Sequence, residues 1–123
     1  MSAWTSVEFA RIGAADLLHI AVRRADGSLR NLVPIWVVAH GGRLYIRSVN
    51  GWEAAWFRGA QSTHDGHIRA GGVERDVTFV DVAHDIDDAL DAAYRTKYGY
   101  SPSSVARIVS PRARSATLEL VPR

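Results

Sequence analysis

The chain has 123 residues, 47% of them hydrophobic, which suits one folded domain over residues 1–123 with a substantial core. Fifteen Lys and Arg against 13 Asp and Glu leave a formal charge of only +2, too small an excess to argue for a nucleic-acid partner. The lack of cysteine excludes disulfides, thiolate metal sites and a cysteine nucleophile, and no stretch approaches the roughly 20 apolar residues that span a bilayer. With no basic segment leading into an apolar run at the start, a cytoplasmic protein without membrane attachment is expected.

In chain order, Thr5 and Glu8 have the spacing of a capping box and Trp4 and Phe9 that of a hydrophobic staple, with Gly13 placed to stop a short helix. Residues 17–24 alternate as a strand, with Leu18, Ile20 and Val22 on one face and His19 on the other. Asp26-Gly27 then supplies a tight turn. The run 32–40 is apolar on both faces, so it reads as a central strand covered on two sides, with Pro34 at its start or at a bulge. After the Gly41-Gly42 turn, residues 43–49 form a strand with Leu44, Ile46 and Ser48 on one face and Tyr45, Arg47 and Val49 on the other. Asn50 is spaced to cap a helix with Glu53 three residues on, Trp52 and Trp56 are helical neighbours, and Gly59 is placed to end that helix.

His64-Asp65-Gly66-His67 could bring two imidazoles to one ion, but nothing completes a ligand set. The expectation is therefore no metal, and a tight turn at Asp65-Gly66 leading to a strand around Ile68. Residues 73–82 read as a strand. Residues 85–98 form the strongest helix, with Ile86, Leu90, Ala93 and Tyr94 as its buried stripe, Asp85, Asp87 and Asp88 at its positive end, and Gly99 closing it. Its acidic cluster needs no catalytic role. The stretch 100–115 is broken by Pro102 and Pro111, with a turn of helix at 104–109. Its Arg107, Arg112 and Arg114 read either as solvated charge or as a clamp for an acidic group. Residues 115–121 close the chain as a last strand.

The stretch 32–61 organises the remainder. Strand, turn, strand, Asn-Gly corner and aromatic helix bring Arg47, Ser48, Asn50, Trp52, Trp56 and Arg58 into one neighbourhood. A polar corner feeding a helix start offers unpaired N–H groups and partial positive charge, which suit an anion such as phosphate. Six strands joined mostly by Gly-rich turns favour a closed or partly closed antiparallel barrel, so the fold class is mainly β with peripheral α.

Several short motifs in fixed order carry a resemblance over nearly the whole chain: the run from Trp4, LHI at 18–20, PIW at 34–36, LYIRSVNG at 44–51, AWF at 55–57 and AYRTKYG at 93–99. Together they resemble a bacterial family known as domain of unknown function 2255. That family is similar to the FMN-binding split-barrel superfamily of pyridoxamine phosphate oxidases and deazaflavin-dependent reductases. The resemblance implies a six-stranded antiparallel split β-barrel with short helices, two copies packed as a homodimer, and FMN or a deazaflavin in the groove between them. By the same resemblance, Arg47, Ser48 and Asn50 would meet phosphate, Pro34 and Trp36 the ring, and Trp56, Arg58 and Lys97 would approach the groove. The family pattern often carries a basic residue before that helix tryptophan, where this chain has Ala55. Loss of one desolvated cation would weaken phosphate binding by about 1 to 3 kcal/mol.

Three functions follow from these features. The first is a flavin- or deazaflavin-dependent oxidoreductase, with the cofactor supplying the hydride chemistry. The second is a cofactor-free cyclase or isomerase of bacterial secondary metabolism, with His19, His40, Tyr45 and Tyr98 as candidate acids or bases. The third is a non-catalytic binding or interaction module in which the four tryptophans provide an apolar pocket or a dimer surface.

Overall fold

The computed structural model describes residues 3–123. Helix α1 (Ser6–Ala14) starts as its spacing predicts: the Glu8 N–H donates to Thr5 Oγ1 at 3.1 Å, and the Thr5 N–H donates to Glu8 Oε1 at 3.0 Å. Trp4 and Phe9 both pack on the main core, and Trp4 Nε1 donates to the Leu120 carbonyl at 3.1 Å. A local cap and one long-range bond thus hold a nine-residue helix that would be marginal alone.

Among the described residues the strands are β1 (Leu18–Val22), β2 (Val33–Ile35), β3 (Val37–His40), β4 (Arg43–Arg47), β5 (Asp65–Ala70), β6 (Val73–Asp81) and β7 (Thr117–Pro122). They form one antiparallel sheet in the order β2-β1-β5-β6-β7-β4-β3. Its two outer strands are consecutive in sequence and separated only by Trp36. One run therefore occupies both borders and bends the sheet into a near-closed barrel.

This is why seven strands are found where the pattern predicts six, and why the run 32–40 is peripheral in the pairing order rather than central. It is nevertheless covered on both sides at its middle: Val37 faces the barrel interior and Val38 the helical layer. Pro34 lies in the border strand β2, opposite His19, where a missing N–H leaves no gap between strands. At the break, Val37 needs partners from outside the sheet. Its N–H donates to Tyr98 Oη at 3.2 Å, and its carbonyl accepts from Lys97 Nζ at 2.7 Å.

The helices that follow are α2 (Ala55–Thr63), α3 (Asp87–Tyr98), α4 (Pro102–Ile108) and α5 (Pro111–Arg114). Two apolar layers result. Leu18, Ile20, Leu44, Ile46, Phe79 and Leu118 belong to the barrel interior, while Val38, Tyr45, Leu90, Tyr94, Tyr98 and Ile108 join β3 and β4 to the helices outside. Strand alternation assigns them: Leu44 and Ile46 enter the barrel, and Tyr45 and Arg47 turn toward the helices.

Four local expectations are corrected. Asn50 does not cap a helix; a short 3₁₀ turn at Gly51–Glu53 intervenes, and Ala54 precedes α2 without a side-chain cap. Helix α2 passes through Gly59 and ends at left-handed His64 (φ 55°). Asp65 and Gly66 then lie within β5 rather than in a turn. Gly66 serves close packing, since a Cβ there would lie 2.7 Å from both the Ala21 carbonyl oxygen and the Phe79 ring. The segment read as irregular contains two short helices, each opened by a proline whose missing N–H has no partner to lose there. Among the described residues no helix is long and apolar enough to cross a membrane.

Gly66→Ala is expected to destabilise the fold by about 1 to 3 kcal/mol, because neither the carbonyl nor the core ring can yield freely. Chemical denaturation of the two proteins measures it, and an unchanged midpoint would contradict the close packing.

Candidate functional site

A cavity of about 520 Å3 opens where β2, the end of β4, the start of α2 and α4 meet. Its apolar lining residues include Leu17, Val33, Pro34, Trp36, Val49 and Trp56, and its polar ones are Arg47, Ser48, Asn50, Ser104 and Arg107. Six of the eight residues expected at a cofactor are thereby brought together: Pro34, Trp36, Arg47, Ser48, Asn50 and Trp56. Arg58 is exposed on α2 and does not line this cavity, and Lys97 lies in a separate groove with His40, Ala89 and Ala93.

Being brought together is not the same as being free to bind. Arg47 is buried, and its guanidinium is committed within the fold. Nε donates to Thr117 Oγ1 at 3.1 Å, Nη1 to Asp91 Oδ1 at 2.5 Å and to the Ile108 carbonyl at 3.2 Å, and Nη2 to the Asp87 carbonyl at 3.1 Å. The Asp87 carboxylate lies 3.8 Å away and the Tyr94 ring centroid 5.4 Å away. Ser48 is buried too, and its hydroxyl donates to the Gly51 carbonyl at 2.8 Å. Gly51 returns a bond from its N–H to the Ser48 carbonyl at 2.9 Å. With φ +64° and the Arg112 carbonyl oxygen 3.0 Å from where a Cβ would stand, position 51 accepts only glycine without strain. The corner predicted from Asn50-Gly51 is real, but its geometry consumes the Arg47 donors and the Ser48 proton.

What stays uncommitted is different. Among the described residues, the Asn50 carboxamide has no hydrogen-bond partner and Arg107 has no acidic one. The first N–H groups of α2 have no side-chain cap and start beside Ala54 and Trp56 at the cavity wall. Of the polar lining residues, Ser104 goes unread in the sequence and Arg107 is read there only as solvated charge or as an acid clamp. A signal for them exists, because Ser104, Arg107 and Ile108 fall at i, i+3 and i+4 and so share one face of a helix opened by Pro102.

The candidate acids and bases fall elsewhere. His19 is half-buried on β1 in a shallow depression with Leu32 and Arg69. Tyr45 is buried in the helical layer, and burial pushes its phenol up. Tyr98 is fully buried, donates to the Asp16 carbonyl at 2.9 Å and accepts the Val37 N–H. Burial of Lys97 lowers its amine to about 8 while it bonds Val37. His64 and His67 part company: His64 approaches Asp81 at 3.7 Å, and His67 bridges Asp76 at 3.0 Å and Glu74 at 3.1 Å.

A protein-family model described as "Uncharacterized protein conserved in bacteria (DUF2255)" matches residues 8–120. The chain belongs to DUF2255. No curated protein sequence matches this DUF2255 chain. Among solved structures it is similar to the protein Atu2129, of unknown function, from Agrobacterium tumefaciens str. C58, with 12% identity and a TM-score of 0.67. That match covers 96% of this chain but 53% of the other, so this chain spans about half its length. It is also similar to an F420-H2 dependent reductase, FDR-A, at 14% identity and TM-score 0.62, over 86% of this chain and 93% of that one. The heme storage protein HutZ from Vibrio cholerae is similar at 13% identity and TM-score 0.61, over 95% and 87% of the two chains. At such identities the likeness establishes the split-barrel fold of this DUF2255 member.

Arg47→Met is expected to cost about 3 to 5 kcal/mol by leaving the buried Asp91 with Arg114, 3.4 Å away, as its remaining cation, and adding Asp91→Leu should recover much of that loss. Denaturant titration of both variants checks it; a single variant within about 1 kcal/mol of the parent would mean that the ion pair is not structural.

The His67 bridge predicts a pH effect. Burial lowers its imidazole, but hydrogen bonds to Asp76 and Glu74 outweigh this and leave it raised above the ordinary 6.5. A raised folded-state value contributes stability that is fully present below pH 6.5 and is lost as pH rises through the raised value. The stability gap between the parent protein and His67→Gln should therefore be largest at acid pH and shrink toward alkaline pH in paired unfolding curves.

Proposed function

We propose that the 520 Å3 cavity holds an anionic cofactor with a flat ring, of the FMN or deazaflavin type, and that the protein works as an oxidoreductase of small molecules. One observation carries this reading. The residues lining the cavity join two tryptophan side chains to uncommitted anion donors, yet include no His, Tyr, Asp or Glu. Such a cavity can bind and orient a ring with an acidic group, but it supplies no side chain that titrates near neutrality for general acid or base chemistry. That weighs against the cofactor-free cyclase or isomerase, whose candidate residues lie outside it. Support also comes from the fold's likeness to a protein named as an F420-H2 dependent reductase.

In this reading Trp36 and Pro34 flank the ring and exclude water, and Trp56 closes the side next to α2. The acidic group sits at the uncapped start of α2, held by Asn50 and by Arg107 from α4, which takes over the charge that Arg47 spends internally. A bound flavin or deazaflavin would supply hydride transfer there. A second copy of the chain would cover the cavity mouth, where Leu17 is 44% exposed.

Titration with FMN and with F420, read by tryptophan fluorescence, should quench the signal saturably for at least one of them. Arg107→Ala combined with Asn50→Ala should weaken that binding about tenfold or more, since each tenfold corresponds to about 1.4 kcal/mol. No saturable change with either cofactor would sink the proposal.

A further inference from the structure

Trp36 links the cavity to a line of aromatic rings that ends at the surface. Trp36 lines the cavity, and its indole stacks on Tyr98 with ring centroids 3.9 Å apart and planes 7° apart. Tyr98 lies 6.2 Å from Tyr100, centroid to centroid, and Tyr100 is 67% exposed. Packing alone accounts for a buried stack. It does not account for how differently the three nearby phenols are hydrogen-bonded.

Tyr94, 6.5 Å from Trp36, is buried, its hydroxyl has no partner among the described residues, and the Arg47 guanidinium stands 5.4 Å from its ring. Tyr98 donates to a backbone carbonyl, a very weak base, with the Lys97 ammonium 4.9 Å from its ring centroid. A cation over a ring disfavours further positive charge on it. Neither phenol can give up an electron and a proton together. Tyr100 can, because its hydroxyl donates to the Asp16 carboxylate at 2.5 Å. Asp16 therefore binds Tyr98 through its carbonyl and Tyr100 through its side chain, holding both rings in place.

We propose that Trp36, Tyr98 and Tyr100 form a path that drains one-electron oxidising equivalents from the cavity wall to the surface, ending at the Tyr100–Asp16 pair. The path rests on the redox reading of the cavity only for its natural oxidant, an oxygen-derived radical formed there. That oxidant takes one electron from Trp36 and is reduced. An electron then passes from Tyr100 through Tyr98 to Trp36, restoring the indole, while the Tyr100 phenolic proton moves to the Asp16 carboxylate. A thiol in solution returns one hydrogen atom's worth of electron and proton to Tyr100 as Asp16 releases its proton to water. Tyr98 mediates without holding the charge, for the reasons given by its carbonyl partner and Lys97.

Pulse radiolysis with azide radical tests this without any cofactor, so its outcome is separate from that of the cavity reading. Azide radical takes an electron from tryptophan and becomes azide ion. The expected record is decay of the tryptophan radical with matching growth of a tyrosyl radical, at a rate independent of protein concentration. That phase should be absent in Trp36→Phe and in Tyr100→Phe, the second an exposed change that leaves the core intact. In Asp16→Asn, which keeps an acceptor but removes the base, it should slow by at least about tenfold. The same phase persisting unchanged in Tyr100→Phe or Trp36→Phe, or no such phase in the parent protein, overturns the path.

Discussion

A single buried guanidinium joins four elements of this fold. Arg47 leaves β4 and reaches Asp87 and Asp91 on α3, the Ile108 carbonyl at the end of α4, and Thr117 on β7. A buried charge is tolerated only when paired and hydrogen-bonded, so these contacts leave α3 and α4 little freedom in how they dock on the sheet. The functional consequence is indirect. Because Ile108 belongs to the cavity wall, the same network sets where Ser104 and Arg107 stand.

The second constraint lies at the barrel seam. A sheet whose borders are two halves of one strand must satisfy the backbone groups exposed where that strand turns. Tyr98 and Lys97 do this from the last turn of α3, at the carbonyl and N–H of Val37. The residue released by the break is Trp36, which is therefore free to stack on Tyr98 and to face the cavity. Seam and cavity wall are thus two results of one local break in pairing, and helix α3 supports both.

Much of the local structure is legible in the residues themselves. Thr5 with Glu8, Asn50-Gly51, the alternation from Arg43 to Arg47 and the apolar stripe of α3 encode shape over a few positions, and the fold keeps each of them. The errors arise where one residue has two local meanings. Gly59 and Gly66 read as punctuation, yet the first lies inside a helix and the second inside a strand, where space decides. The site was half legible for the same reason. Asn50 and Trp56 belong to the corner and Pro34 and Trp36 follow from the family resemblance, whereas Arg107 reads either as solvated charge or as an acid clamp until α4 brings it beside them.

By itself, then, the order of residues determined the barrel class, the positions of its elements and the polar corner, because those follow from caps, turns and periodicities that act between near neighbours. Only the tertiary structure decided which cation the corner keeps. Arg47 and Asp91 are 44 positions apart, and no pattern within β4 says which helix will cover its outer face. Docking of α3 buries that guanidinium and spends its donors, while the fold of α4 supplies another at the cavity, a choice made by long-range packing rather than by local propensity.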